Sequence, residues 1–338
     1  MKPKEIFLNS LAKKPVPRHA TGSATSVATI DLMKKTGYFF PEAHLNPEKM
    51  AGLAEAGYTI LGFDNIMPLF SVCHESVAIG CHEDWGEIKR MPDCRGEIFK
   101  IDEEFEIPMD FLSKSSCQVP LEALKILKKR YGDDIAVVGK IFGPWTLGYH
   151  VFGVEEFLIN TIINPDAVKK AIEKLKEVTV AFGKAQIDAG ADALCLADHA
   201  TRDLCSPDAY RGFLFDIHRE LKERIPCPLI LHICGDTSDR IEFIKNTGID
   251  CFHFDSKVPS EKARKLAGKK MSLMGGTSNF EIIRKGTIDK IKKDVEEKIK
   301  TGIDIIGPEC AVPLDAPYEN MKILTDEVKK TPITIAYK

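Results

Sequence analysis

Pro228-Leu-Ile-Leu-His232-Ile-Cys234-Gly235 is a short apolar run between turn signals, and residues 237–246 after it have a polar, helix-like period. Far downstream, Ile303-Asp-Ile-Ile-Gly-Pro-Glu-Cys310 is a second apolar run that stops on a cysteine. His232 and Cys234 are two apart, so on a strand both side chains point to the same face. With Cys310 they make an N,S,S donor set. Such a set suits zinc, and three protein ligands leave a fourth position open for chemistry. A local H-x-C pair arises by chance, so its placement at strand ends gives it weight.

Working outward from this run, eight segments have strand character: 16–22, 59–66, 135–142, 193–198, 229–234, 251–255, 272–275 and 303–307. Most are followed by a helix-period segment. The clearest is 165–189, with Ala167, Ala171, Ile172, Leu175, Val178, Ala181 and Phe182 at helical spacing. Others lie at 121–130, 206–222, 237–246, 260–266, 288–300 and 318–330. Helices after strands imply parallel strands with crossovers. Eight such units argue for a (β/α)8 TIM barrel over an open doubly wound sheet. Met274-Gly-Gly-Thr277 is no G-x-G-x-x-G dinucleotide fingerprint. Two stretches fall outside the rhythm: residues 1–14, expected as an N-terminal helical extension, and 83–112, expected as an irregular or hairpin insertion over one barrel end. Neither justifies a second domain, so one domain over 1–338 is expected.

The formal charge of −3 gives no electrostatic reason to expect nucleic-acid or anionic-membrane binding. The N-terminal residues lack a signal-peptide core, and no apolar run approaches membrane-spanning length. Ten cysteines spread over 338 residues do not read as a disulfide framework, so a reducing, cytoplasmic compartment is expected.

In barrels of this kind, chemistry gathers at the C-terminal ends of the strands. Those ends offer Asp64 after the second run, Lys140 in the third, Asp198 and His199 after the fourth, and His232 and Cys234 on the fifth. Asp255 follows the sixth, and Cys310 the eighth. Asp255, Asp198, His199 and Asp64 are the candidate catalytic residues. Asp255 reads equally as a metal ligand that substrate displaces, an acceptor behind the ligands, or a barrel-lining carboxylate. Lys140 reads first as a surface or ion-paired lysine, and otherwise as the holder of a substrate's anionic end. Cys73-His74 and Cys81-His82-Glu83-Asp84 are rich in donors, but a helical context over 72–80 scatters them over different faces.

The strand–helix rhythm, His232-Ile-Cys234-Gly235 and the late Gly307-Pro-Glu-Cys310-Ala-Val-Pro313 resemble the uroporphyrinogen-decarboxylase superfamily. The similarity is to its zinc-dependent corrinoid methyltransferases, particularly the methylcobalamin:coenzyme M type. It extends over nearly the whole chain through Tyr38-Phe-Phe-Pro41-Glu-Ala-His44, Gly62-Phe-Asp64, Glu75 to Gly80-Cys81, Gly143-Pro144, Ala189-Gly-Ala-Asp192 and Ser206-Pro-Asp208. The resemblance implies zinc held by His232, Cys234 and Cys310, and methyl transfer from a methylated corrinoid protein to a thiol such as coenzyme M. The alternative is a first-stage enzyme that demethylates a methoxylated or methylated compound and loads a Co(I) corrinoid protein. From another class comes a non-enzymatic metal-binding component of a methyltransferase complex.

The decarboxylase branch fits less well. Its arginine-rich N-terminal signature is represented here by Pro15-Val-Pro-Arg18-His-Ala-Thr-Gly22, with one arginine, whereas an octa-anionic porphyrinogen needs several fixed cations. The thiol chemistry suits the donor set. A free thiol is mostly protonated at neutral pH, a metal-bound thiol is not, and two cysteinates with a neutral histidine retain electron density on an attacking sulfur. The corrinoid is expected on a separate partner protein. Asp216-Ile-His218-Arg-Glu-Leu221 has Leu where the base-off cobalamin motif D-x-H-x-x-G needs Gly.

Overall fold

The computed structural model describes residues 1–333, so the last five positions of the expected 1–338 domain lie outside the described residues. In chain order the strands are β1 (Ala20–Thr21), β2 (Asn65–Ile66), β3 (His82–Asp84), β4 (Asp93–Arg95) and β5 (Ala136–Phe142). They continue with β6 (Ala193–Ala197), β7 (Leu229–Ile233), β8 (Cys251–Phe254), β9 (Ser272–Thr277) and β10 (Ile305–Pro308). Eight of them pair in the order β1-β10-β9-β8-β7-β6-β5-β2, every pair parallel. Helices cover the outside, and the fold is a (β/α)8 barrel.

The seam between β1 and β2 is closed in an unusual way. One backbone bond crosses it, Asp64 N–H to the Thr21 carbonyl at 2.7 Å. Side chains make the rest. Asp64 Oδ2 accepts from Thr21 N at 2.9 Å. Asn65 Oδ1 accepts from Ser23 N at 3.1 Å, and Asn65 Nδ2 donates to the Ser23 carbonyl at 2.8 Å. Carboxylate and amide thus replace ladder partners, which satisfies backbone groups that would otherwise be orphaned where both strands are two residues long.

Six of the eight expected strands lie within a few residues of their predicted positions. The exceptions are the first two. Of 16–22 only Ala20–Thr21 is extended and paired, and of 59–66 only Asn65–Ile66. Ala56–Thr59 is a helical turn, because a short apolar run carries no period that separates strand from buried helix. The long helix Pro165–Asp188 buries Val168, Ala171, Ile172, Leu175, Val178 and Phe182, which is the stripe its periodicity predicts. The helix expected over 237–246 shrinks to Ile241–Ile244, and that over 206–222 is split into Pro207–Ala209, a wider turn at Tyr210–Leu214, and Phe215–Arg224.

Both additions are present. Residues Pro3–Leu11 form a helix that buries Ile6, Phe7 and Leu11 and packs beside β1 and β5. The insertion carries the antiparallel hairpin β3–β4. No helix among the described residues is long and apolar enough to cross a membrane.

Candidate active site

β7 carries His232 one residue before its end at the barrel mouth, and Cys234 follows directly after Ile233. Gly235 then turns with φ +81°, where a Cβ would stand 2.3 Å from Thr201 Oγ1, so both conformation and space demand glycine. Asp255, just past β8, accepts from Gly235 N at 2.8 Å through Oδ2 and from Lys257 N at 2.9 Å through Oδ1. Its carboxylate therefore braces the turn that carries Cys234.

Cys310 arrives from the segment after β10. The preceding Glu309 accepts from Ser256 N at 2.8 Å and from Asn279 N at 2.7 Å. Asn279 Nδ2 in turn donates to the Cys310 and Ala311 carbonyls at 3.0 and 2.9 Å. Loops after three neighbouring strands are thereby tied together around the thiols.

The result is a tight cluster. His232 Nε2 lies 3.1 Å from Cys234 Sγ, and Cys234 Sγ lies 3.2 Å from Cys310 Sγ. All three donor atoms fall within 4.8 Å of one another. The His253 carbonyl sits 3.3 Å from His232 Nδ1. A carbonyl can only accept, so this contact puts the ring proton on Nδ1 and leaves the Nε2 lone pair facing the sulfurs. Hydrogen bonding to Cys234 and the nearby His232 push the Cys310 thiol well below its ordinary range, while Cys310 pushes Cys234 up. A set of one imidazole lone pair and two sulfurs, one of them readily ionised, fits a borderline-soft divalent ion such as zinc.

The cluster forms one wall of a cavity of about 300 Å³. Lys140 and Phe142 of β5 line the same cavity, together with Phe70, Thr146, His150 and His199. Burial holds the His150 imidazole neutral, at about 4, and its Nδ1 contacts Ser76 Oγ at 2.6 Å.

The other candidates from the sequence are distributed as follows. Asp198 lines the cavity, but both its oxygens are engaged. Oδ1 accepts from Thr146 N at 2.8 Å and Oδ2 meets His218 Nε2 at 3.0 Å, with Tyr210 OH 2.9 Å from His218 Nδ1. His199 is exposed at the rim, and its backbone N–H donates to Thr146 Oγ1 at 2.7 Å. Asp64 is a correction. It precedes β2 rather than ending it, so it stands at the N-terminal face of the barrel, bound to Arg18 and Thr21 and away from the cavity. Lys140 is buried rather than exposed and, among the described residues, has no ion-pair partner, contrary to its first reading; it lines the cavity. Cys73-His74 and Cys81 to Asp84 form no metal-binding group among the described residues.

Sequence reading passed over His253, Glu309, Thr146 and His150. For His253 the signal existed, since it sits two residues before Asp255 and shares its face of β8. Thr146 and His150 lie on the helix Pro144–Phe152, whose first turn returns over the mouth, and no local pattern marks that.

Comparison with known proteins is consistent in one direction. The family model described as Uroporphyrinogen decarboxylase (URO-D) matches residues 2–331. A methylated-thiol–coenzyme M methyltransferase of Methanosarcina mazei is 34% identical over 306 residues, covering 90% of this chain and 83% of that protein. A methylcobamide:CoM methyltransferase MtaA of Methanosarcina barkeri is 30% identical over 324 residues, covering 95% and 96%. Among solved structures, a methyltransferase from Methanosarcina mazei superposes with a TM-score of 0.95 at 29% identity, covering 98% of this chain and 99% of that one.

Proposed function

The chain belongs to the uroporphyrinogen decarboxylase family, and on that premise we propose that it is a zinc-dependent methyltransferase that moves a methyl group from a methylated corrinoid protein to a thiol acceptor such as coenzyme M. The observation that carries this reading is the convergence of His232 Nε2, Cys234 Sγ and Cys310 Sγ on one wall of a small cavity at the barrel mouth. Both similar methyltransferases carry coenzyme M in their names, and the name methylcobamide:CoM methyltransferase supports a corrinoid as the donor. The N-terminal stretch argues against the decarboxylase branch, because Arg18 is engaged with Asp64 at the opposite face of the barrel.

His232, Cys234 and Cys310 would hold the zinc. Bound there, the ion supplies Lewis-acid stabilisation of a thiolate near neutral pH. The protein's own residues then fix the geometry. The His253 carbonyl sets the His232 tautomer, Asp255 braces the Cys234 turn, and Glu309 with Asn279 hold the Cys310 loop. Phe70 and Phe142 keep the cavity wall apolar and limit water around the sulfur. Asp198 and its partner His218 anchor Thr146 in the wall.

In the transfer, the acceptor loses its thiol proton to solvent at the mouth and its sulfur forms a bond to the methyl carbon. The cobalt–carbon bond breaks with its electron pair left on cobalt, so methyl-Co(III) becomes Co(I). The corrinoid enters as substrate on a partner protein, and the chain is a single barrel domain in this reading.

The test is anoxic mixing of zinc-loaded protein, methylcobalamin and a thiol series that includes 2-mercaptoethanesulfonate and homocysteine, with cobalamin spectra recorded. The expected result is Co(I) cobalamin and a methyl thioether. A protein inert to every thiol that instead methylates Co(I) corrinoid from a methoxylated compound belongs to the first-stage class.

A further inference from the structure

Three lysines among the described residues are buried: Lys140, Lys176 and Lys298. Lys176 is paired with Glu173 and Glu220, and Lys298 with Asp294 and Glu297. Lys140 is different. It is 4% exposed, and among the described residues its Nζ has no carboxylate partner and no hydrogen-bond acceptor, only the Phe142 ring at 5.4 Å. A buried ammonium without an anion is costly, and proteins pair it as they do at the other two positions.

The surroundings of Lys140 do not supply the missing charge. Asp198, the carboxylate in the cavity lining, is committed to Thr146 and His218. Glu75 is the carboxyl group that Lys140 feels most, but among the described residues no ion pair joins the two: Glu75 Oε1 accepts from Phe142 N at 2.8 Å, its Oε2 has no partner, and burial pushes its carboxyl up to about 7. The remaining neighbours are thiols and imidazoles: Cys195, whose thiol burial pushes up, and Cys310, whose sulfur is committed to Cys234 in the proposed ligand set at 3.2 Å, with His44 and His74 held neutral by burial and by the lysine itself. The ammonium borders the same cavity as Cys234 and Cys310, and that cavity, at about 300 Å³, admits only a small molecule.

We propose that Lys140 binds a terminal anionic group of the acceptor, so that the preferred acceptors are short thiols carrying a sulfonate or carboxylate at the end opposite sulfur. The assignment rests on the thiol-acceptor reading above. With its charge at Lys140 and its sulfur at Cys234 and Cys310, the acceptor lies within the one cavity that all three line and leaves the mouth to the methyl donor. Lys140 is then a specificity-determining residue.

The experiment has a turnover arm and a binding arm. In the first, zinc-loaded protein is given 2-mercaptoethanesulfonate, 3-mercaptopropionate and neutral 2-mercaptoethanol. Wild type should prefer the anionic thiols in kcat/KM. Lys140→Met should reduce that preference by roughly 10- to 100-fold, the loss of one charge-assisted hydrogen bond, and Lys140→Arg should restore part of it. The sulfonate and carboxylate arms tell which anion is meant. In the second arm, ethanesulfonate, which has no thiol and cannot be methylated, should raise the melting temperature of wild type and not of Lys140→Met.

An unchanged preference in Lys140→Met overturns the proposal. Absence of any ethanesulfonate shift in wild type overturns it too, even if the variant fails to fold. Recovery of a misfolded Lys140→Met by adding Glu75→Gln would assign the lysine to Glu75 and overturn it as well. If no thiol is methylated by wild type while ethanesulfonate still binds through Lys140, the thiol reading has failed and the anion site stands.

Discussion

Arg18 grips Asp64 through two parallel hydrogen bonds, Nη1 to Oδ2 and Nη2 to Oδ1, each 2.7 Å long. Asp64 is fully buried and also accepts from Thr21 N across the β1–β2 seam. The pair therefore fastens the first strand of the barrel to the second, and it does so at the face opposite the cavity. An aspartate that invites a catalytic reading in the sequence, and the single arginine of the N-terminal stretch, serve barrel closure in the structure.

Removing one partner should reveal that role. Asp64→Asn leaves Arg18 without its anion, and loss of one member of a largely buried pair is expected to lower unfolding free energy by about 3 kcal/mol. Denaturant titration measures it. If Asp64 is instead catalytic, the variant keeps its stability and loses turnover.

Cys310→Ser replaces a soft sulfur with a harder hydroxyl in the proposed ligand set. Zinc content by elemental analysis should fall well below one per chain after dialysis against a mild chelator, and methyl transfer should be lost. Full zinc retention together with normal transfer would remove Cys310 from the site. Stripping zinc from wild type should likewise abolish transfer, and adding it back should restore it.

Asp255 acts on the metal site through the backbone, since its oxygens bind Gly235 N and Lys257 N. Asp255→Ala frees the turn after Cys234. Zinc affinity should drop by about 10- to 100-fold, the range typical when a residue supporting ligands is lost. Asp255→Asn, which keeps one acceptor oxygen, should fall between. Competition with a chromogenic chelator reads both.

Glu75 gives a pH prediction with a definite sign. Burial raises its carboxyl from the ordinary 4.5 to about 7, so between those values the native chain holds a proton that the unfolded chain has released. Stability from this group is complete below 4.5 and is lost as pH rises through about 7. Glu75→Gln removes that titration. The unfolding free energy of the variant minus that of wild type should therefore shift in the variant's favour by up to about 3 kcal/mol across the window. A difference that stays flat with pH would show that Glu75 is not protonated in the native state.

Lengths and periods carried most of the fold. The stripe over 165–189 became the helix Pro165–Asp188, and 229–234 became β7, because an apolar run of strand length between turn residues has few alternatives once helices flank it. The first two strands were legible only in outline. Their pairing rests on side chains of Asp64 and Asn65 crossing a seam between segments about 42 residues apart, and local patterns do not encode such contacts.

For the site, the sequence by itself determined the donor chemistry. His232 and Cys234 share a face because strand side chains alternate, and Cys310 ends the last strand of a barrel whose mouth gathers strand ends. Only the tertiary structure decided which carboxylates do what. Asp255 and Asp198 are saturated by backbone N–H groups and His218, Asp64 lies at the wrong end of the barrel, and Lys140 stands in the cavity with no ion-pair partner among the described residues. The physical reason is that a charged group's role depends on which partners reach it in three dimensions. Burial and hydrogen bonding, rather than residue type, determine whether its charge is spent on the fold or left for a ligand.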